Sequence, residues 1–499
     1  MELLHNIGLG LSVAVSPENL LFCFVGVLLG TLIGVLPGIG AVATMAMLLP
    51  LTFHLPPATS LIMLAGIYYG AQYGGSTTAI LVNLPGEANS VATTLDGYAM
   101  AQRGRAGAAL AIAAIGSFVA GTVATLLIAM FGPAMATIAL NFGPVEYFSL
   151  MLLGLVCSIV LASGALHKAV VMILFGIFLG LAGTDPNSPL PRLTFGVPAM
   201  AEGINFVAIA VGLFGLTEIM LNLARDLTRV QPVPLRELFP SREELKESTG
   251  PILRGTFLGS LLGVLPGGGA LLASFGAYAL EKKLSKTPEK FGKGAIAGVA
   301  APEAANNAGA QTSFIPLLTL GVPSNAIMAV MAGAMTIQGV IPGPQVMSEH
   351  ALLFWGMIVS MWLGNLMLVV LNLPLVGLWV KLLQVPYRLL YPAILFFCLI
   401  GVYSINNQAF DVYLAVGTGV LGYLMTKLGF EATPLVLGFI LGPMMEENFK
   451  RAMLLSGGEF TTFIDRPISA SLLLAAAVML ALMLLPSVTR TRQVALRED

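Results

Sequence analysis

The chain has 499 residues, 57% of them hydrophobic and only 10% charged, with a mean hydropathy of +0.89 and a formal net charge of −1. Soluble domains carry about 25% charged residues, so a water-soluble globular protein is excluded, and a chain without basic excess offers no surface for nucleic acid. Apolar runs of about 20 residues can cross the hydrocarbon core of a bilayer, and several here reach that length, which makes this an all-α polytopic membrane protein.

The 56 glycines and 30 prolines suit close helix contacts and interrupted helices. Residues 1–6 lack the basic start of a cleavable signal peptide, and the first Lys or Arg is Arg103. Cys23, Cys157 and Cys398 lie scattered in apolar runs without metal or redox spacing, and are read as small apolar residues. The four histidines are isolated, and no His-Glu-x-x-His, nucleophile elbow or Walker A pattern occurs. Enzymatic chemistry has no visible carrier, and no metal or organic cofactor is expected.

The first apolar run, 20–53, holds Gly34-Val-Leu-Pro-Gly-Ile-Gly-Ala41 at its centre. Proline lacks the N–H and glycine permits positive φ, so Pro37-Gly38 breaks a helix. A break at membrane depth is tolerated only where it is buried in protein or lines a polar cavity. Neither flank carries Lys or Arg, so both ends are read as external by the positive-inside rule. The chain then passes inward to Arg103 and Arg105. Runs 106–130, 145–163, 169–181 and 205–221 thread out, in, out and in. The polar segment 225–254 is a cytoplasmic linker, dividing an N-terminal membrane repeat (1–224) from a C-terminal one (255–499).

The second half opens with the run 255–280, centred on Gly263-Val-Leu-Pro-Gly-Gly-Gly-Ala270. Pro266 follows Pro37 by 229 positions (266 − 37). Basic residues flank this run on both sides, Arg254 before it and Lys282, Lys283, Lys286, Lys290 and Lys293 after it. Entry and exit therefore share the cytoplasmic side. Two arms of about 12 residues would each reach roughly 18 Å, to the bilayer midplane and back. One re-entrant hairpin opening outward and one opening inward make two inverted-topology repeats. The chain then reaches an external loop near 341–350, returns at Lys381 and Arg388, and ends inside at Arg490 and Arg492. Lys450, Arg451 and Arg466 depart from this threading.

Each hairpin is followed by a second interrupted, polar element. These are Tyr69-Gly-Ala-Gln-Tyr-Gly-Gly-Ser-Thr-Thr-Ala-Ile-Leu-Val-Asn-Leu-Pro-Gly-Glu87 and the stretch from Pro302-Glu-Ala-Ala-Asn-Asn307 to Val322-Pro-Ser-Asn325. Aligning Ser76 with Ser313 leaves Pro85 one residue short of Pro323. Hydroxyls, amides and half-helix N-termini suit a carboxylate, while unwound carbonyls and half-helix C-termini suit Na⁺. The substrate- and ion-binding candidates are Gly38, Gly40, Ser76, Thr77, Asn83, Gly267, Gly269, Asn306, Asn307, Gln311, Thr312 and Ser313. A Na⁺ position falls near Gly38, Gly267 and Asn306. Gly38 and Gly267 shape the breaks, and any single Ser or Thr has the alternative of bonding back to its own helix. Glu303, one turn before Asn306, is a further candidate, to hold a cation or take up H⁺, against the alternative of capping a helix at the interface. Glu87 is weighed in the same way, and Asp96 is read as a turn residue.

These segments, with Leu95-Asp-Gly-Tyr98, Ile315-Pro-Leu-Leu-Thr-Leu-Gly321 and Gly438-Phe-Ile-Leu-Gly-Pro-Met-Met-Glu-Glu-Asn448, resemble the large membrane subunit of the tripartite tricarboxylate transporter family along nearly the full chain. One departure is Ala310-Gln-Thr-Ser313, where the family has a glycine pair before a small residue. The resemblance implies a multi-pass protein of the bacterial inner membrane. It implies a periplasmic solute-binding protein and a small four-helix membrane subunit as partners, and uptake of citrate or another carboxylate by symport with Na⁺ or H⁺. It also implies kinship with elevator-type secondary transporters. A stand-alone carboxylate carrier is the nearest alternative; a channel is more distant, and a membrane-embedded hydrolase lacks a catalytic constellation.

Overall fold

The structure, a computed structural model, describes residues 2–36, 40–162, 165–185, 190–223, 238–267, 269–383 and 387–484. Pro37 and Gly38 lie outside the described residues. The first half runs α1 (Glu2–Ala14), α2 (Pro17–Val35), α3 (Ala41–Thr52), α4 (Pro57–Val82), α5 (Val91–Gln102), α6 (Ala106–Ala139), α7 (Pro144–Leu161) and α8 (Leu166–Gly180). It closes with α9 (Phe206–Ala210), a π-helical turn (Val211–Leu216) and α10 (Thr217–Asn222), which follow one another without a break. The second half begins with α11 (Arg242–Leu262), α12 (Gly269–Leu284), α13 (Ala297–Thr312), α14 (Phe314–Leu320), α15 (Ala326–Ile337), α16 (Gln345–Glu349) and α17 (Ala351–Asn372). It continues through α18 (Val376–Leu383), α19 (Tyr387–Asn406), α20 (Ala409–Lys427), α21 (Ala432–Leu455), α22 (Thr462–Asp465) and α23 (Pro467–Leu484). The strand pairing among the described residues is a two-residue antiparallel bridge, Gly183–Thr184 with Pro191–Arg192.

Among the described residues five helices, α2, α6, α7, α17 and α20, are long and apolar enough to cross a bilayer. Their outward faces fit lipid: on α20, Val416, Val420 and Leu424, four residues apart, are all exposed. The inner helices differ. α4 is buried from Thr59 to Val82 and α13 from Gly298 to Thr312, polar residues included. Lipid tails are as apolar as Leu, so helix association here depends on close backbone packing and hydrogen bonds.

Glycines four residues apart share a helix face. A Cβ at Gly26, Gly30 and Gly34 of α2 would lie 2.3, 2.2 and 2.4 Å from the carbonyl oxygens of Met63, Ile67 and Ala71 on α4. A Cβ at Gly255, Gly259 and Gly263 would lie 2.3, 2.2 and 2.4 Å from those of Ala301, Ala305 and Gly309, all in α13. The first glycines of the triads are 229 positions apart (255 − 26), and so are Pro37 and Pro266. Their partners are 238 apart (301 − 63).

The 238 offset corrects the alignment of the polar stretches. It pairs Asn83 (φ 59°) with Gly321 (φ 70°), the left-handed residues that end α4 and α14, and it pairs Pro85 with Pro323. Ser76 then corresponds to Phe314, and Ser313 to Gly75. The polar stretch of the first half is helical through Val82. Its interruption comes after that, where Asn83 tolerates the left-handed conformation and Pro85 prevents helix continuation.

The halves exchange helices. α6 packs on α11 and α13, and α17 packs on α2 and α4. α8 packs on α21, while the α9–α10 run packs on α20. Gly176 and Gly180 of α8 meet the Leu435 and Phe439 carbonyls, and Gly212 meets the Ala415 carbonyl.

The second hairpin's first arm begins at Arg242, well before the expected Gly255. Ser241 and Glu244 form a capping box: the Ser241 hydroxyl accepts from Glu244 N (3.2 Å) and Glu244 Oε2 accepts from Ser241 N (2.6 Å). Arg254 then holds Glu281 across the two arms at 2.5 and 2.7 Å. The three cations that disturbed the charge-based threading all have carboxylate partners: Lys450 with Glu446 and Asp185, Arg451 with Glu447, and Arg466 with Glu146. A paired charge is a poor guide to membrane side. Arg192 joins the first group through two bonds to Glu446, at 2.7 and 2.6 Å.

Burial pushes the Glu244 carboxyl up, but bonds from the Ser241 N–H, Arg105 and the Ser241 hydroxyl outweigh it and hold it below the ordinary value. A depressed carboxylate stabilises above its unfolded pKa, and that contribution is lost as pH falls through the folded value. The first turn of α11 should therefore fray on acidification. Amide exchange at residues 242–246 should speed up below the usual carboxylate range, and Ser241→Ala should cost about 1 kcal/mol there at neutral pH.

Candidate functional site

The breaks of both halves open on one cavity of about 410 Å³. The first half contributes Gly40 and Ala41 at the start of α3, Tyr68 of α4, and the loop Pro85–Asn89. The second contributes Gly267, Ala270 and Leu271 of the hairpin, and Asn325, Ala326 and Ile327. Leu161 and Ala162 at the end of α7, Phe214 of the π-helical turn, Glu218 of α10, and Glu431, Thr433 and Pro434 at the start of α21 also line it. π-Turns often mark functional sites, and this one reaches the cavity through Phe214.

Backbone geometry fixes the tips. Gly267 has φ 102°, and its N–H donates to Ser324 O at 2.7 Å. A Cβ there would lie 2.4 Å from Ser158 Cα on α7. In the first half, the carboxylate of Glu87 meets the N-terminus of α3: Ala41 N–H donates to Glu87 Oε1 at 2.6 Å. The position matching Glu87 at the 238 offset is Asn325. Its side chain caps its own helix, accepting from Met328 N at 2.9 Å. The start of α12 therefore faces the cavity without an equivalent carboxylate.

The structure gives the sequence candidates different places. Gly40 and Gly267 line the cavity, and Gly269 begins α12 directly behind it. Gly38 lies outside the described residues. Ser76, Thr77, Thr312 and Ser313 bond back to their own helices, at Gln72 O (3.0 Å), Tyr73 O (3.4 Å), Ala308 O (3.1 Å) and Ala310 O (2.7 Å). Ser313 also lies beside the Tyr68 ring that enters the wall. Asn83 is exposed at the end of α4. Asn307 donates to the Ser117 hydroxyl at 2.7 Å and ties α13 to α6. Asn306 and Gln311 are buried in α13, with both Asn306 side-chain polar atoms and Gln311 Oε1 unpartnered among the described residues. Glu303 is fully buried and contacts the hydroxyls of Ser76 and Thr93. Asp96 accepts from Gly294 N and Ala295 N, both at 2.7 Å, and pins the loop before α13.

Sequence reading missed Glu218 and Glu431. Glu218 is a lone acid in an apolar run, a signal of the same kind as Glu87. Glu431 lies in the loop before α21, and only tertiary structure brings it to the wall. The described wall residues include three carboxylates, Glu87, Glu218 and Glu431. Among the described residues no cluster of His, Cys, Asp and Glu has the grouping of a metal centre.

Broken helices from two halves, meeting at one polar cavity inside an apolar helical bundle, define a multi-pass membrane transport protein. The chain belongs to the tripartite tricarboxylate transporter TctA family, whose model matches residues 20–437. It is 57% identical over 501 residues, covering 100% of both chains, to the 52.8 kDa protein of the TAR-I ttuC' 3' region of Agrobacterium vitis. It is 58% identical over 241 residues to the protein of the TAR-II ttuC' 3' region of the same organism, covering 48% of this chain and 100% of that one. No solved structure matches the chain. Family membership makes this a transporter, not an enzyme, and places it with the large subunit of tripartite systems.

Proposed function

We propose that the chain forms the translocation path of a binding-protein-dependent carboxylate uptake system of the inner membrane, driven by a Na⁺ or H⁺ gradient. A periplasmic binding protein and a small four-helix membrane subunit are its partners. The cavity between the two halves is the carboxylate site. One observation carries this reading: a half-helix N-terminus in the wall already holds a carboxylate, that of Glu87 on Ala41 N–H at 2.6 Å. N-terminal amides and the helix dipole favour such a group, and the matching N-terminus of α12 faces the same space. The volume suits a small organic acid.

The matched glycine triads, the shared offsets and the exchanged helices support two inverted-topology repeats. An elevator motion, in which α2–α4 and α11–α14 move with the cavity, suits the continuous burial of α4 and α13 at their centre. A stand-alone carrier would use the same site without partners, while a channel needs a continuous lined path. Reconstitution with the partner proteins and labelled carboxylate tests the reading. Uptake should rise with an imposed Na⁺ or H⁺ gradient; uptake indifferent to both, or flux at channel rates, would overturn it.

A further inference from the structure

The contacts of Glu303 contain more hydrogen bonds than its hydroxyl neighbours have protons. Glu303 Oε2 meets the Ser76 hydroxyl of α4, and Oε1 meets the Thr93 hydroxyl of α5. The Ser76 hydroxyl also lies 3.0 Å from the Gln72 carbonyl oxygen, which can only accept. Ser76 and Thr93 supply one proton each, and three contacts need three. With one proton to each contact, the third stands on the carboxyl. The chain of donors then closes: Glu303 O–H donates to Ser76 Oγ, Ser76 O–H to Gln72 O, and Thr93 O–H to Glu303 Oε1.

Among the described residues no cation offsets a charge there. On the helices packed around it, Tyr73 of α4 faces Glu303. Asp96 of α5 is turned to the Gly294 and Ala295 amides, and Tyr278 of α12 lies beside Asp96. Arg254 of α11 is engaged with Glu281 of α12, Lys282 and Lys283 are exposed at the end of α12, and α6 carries no titratable residue. An unpaired carboxylate in such a place is strongly disfavoured.

The same residues brace the cavity wall. Gly75, next to Ser76, packs on Glu87: a Cβ there would lie 3.1 Å from Glu87 N. The Ser90 hydroxyl holds Glu87 O at 2.8 Å, three residues before Thr93. Segment 86–93, which runs into the first turn of α5, is thus fastened to the cavity at one end and to Glu303 at the other. Ser76 also lines a void of about 10 Å³ with Tyr73, Thr77, Ser117 and Asn372, on the order of one water in size.

We propose that Glu303 is the proton-carrying residue of the transport cycle, and that its protonation is what permits the dry contact between α13 of the second half and α4 and α5 of the first. The inference rests on the carrier reading above and selects H⁺ as the coupling ion. A proton from water binds the Glu303 carboxylate on the loading side, giving the neutral acid. The halves close with substrate held. On the other side the acid returns its proton to water, and the resulting carboxylate needs hydration that the closed contact does not offer.

Glu303→Gln mimics the acid permanently, since its amide can donate to Ser76 and accept from Thr93. In proteoliposomes with the partner proteins, accumulation driven by a pH gradient should fall about tenfold relative to gradient-free exchange of labelled carboxylate. Infrared spectra of the wild-type chain at neutral pH should contain a protonated-carboxyl carbonyl band that Glu303→Gln lacks. Ser76→Ala, which keeps the acid and removes its acceptor, should shift that band and provides the test if Glu303→Gln fails to fold. A Glu303→Gln protein that accumulates substrate like the wild type overturns the inference. So does a wild type driven by Na⁺ and indifferent to pH, or a Ser76→Ala spectrum unchanged in that band. Those three results leave the carrier reading standing; wild-type uptake indifferent to both gradients removes that reading as well.

Discussion

Gly259→Ala should destabilise the protein by about 3 kcal/mol, at the upper end of what overpacking usually costs. The added methyl would sit 2.2 Å from the Ala305 carbonyl oxygen. Both sides of that contact are backbone, so no rotamer change relieves it, and α11 must move off α13. Gly30→Ala should cost a similar amount, because its methyl would sit 2.2 Å from the Ile67 carbonyl in the first half. Gly417→Ala on α20 is the control: nothing lies within 4 Å of the added atom, and alanine is the better helix former. Thermal unfolding of the purified proteins in detergent gives the comparison. A Gly259→Ala midpoint equal to that of Gly417→Ala would mean that the α11–α13 contact is looser than described.

Glu87→Ala should lose about 1.5–3 kcal/mol of stability, the usual worth of a hydrogen bond to a charged group, and transport should drop at least about tenfold. The substitution leaves Ala41 N–H and the positive end of α3 facing the cavity without their carboxylate. A small free carboxylate such as acetate should then restore thermal stability to Glu87→Ala while leaving the wild type unchanged. That rescue tests the central chemical claim directly, because acetate would occupy the half-helix N-terminus as the substrate is proposed to do. Equal responses of the two proteins to acetate would remove Glu87 as the model for substrate binding.

Much of the framework was legible in the sequence, and the reasons are local. Pro37-Gly38 and Pro266-Gly267 announced helix breaks through proline and glycine stereochemistry, which needs no tertiary information. α2 and α3 end and begin around the first of them, as α11 and α12 do around the second. The start of α11 was misplaced although Ser241-Arg-Glu-Glu244 is a capping box, because the charge content of the segment suggested a linker. The register between the polar stretches was off by one. Ser76 and Ser313 look alike, but register is set by glycine triads and left-handed caps, and those align Asn83 with Gly321. The cavity was only half legible. Gly40 and Gly267 follow from the breaks, whereas Glu218 and Glu431 reach the wall from segments far away in sequence. Hydroxyl-rich composition also misleads inside helices: Thr77 and Thr312 satisfy their own backbone carbonyls.

The two offsets differ by nine residues (238 − 229), and this difference has a place. It falls between α12 and α13, where the first half joins α3 to α4 in a short turn. The longer connection carries Lys286, Lys290 and Lys293. If the two halves face opposite ways, as proposed above, the protein has no intrinsic up or down, since turning it over regenerates the same shape. Positive charge retained on the cytoplasmic side is what gives such a body a direction. The insertion lies away from the glycine contacts and from the cavity, so it breaks the likeness of the halves without touching what they share. On that proposal, exchanging its lysines for neutral residues should produce molecules inserted in both orientations.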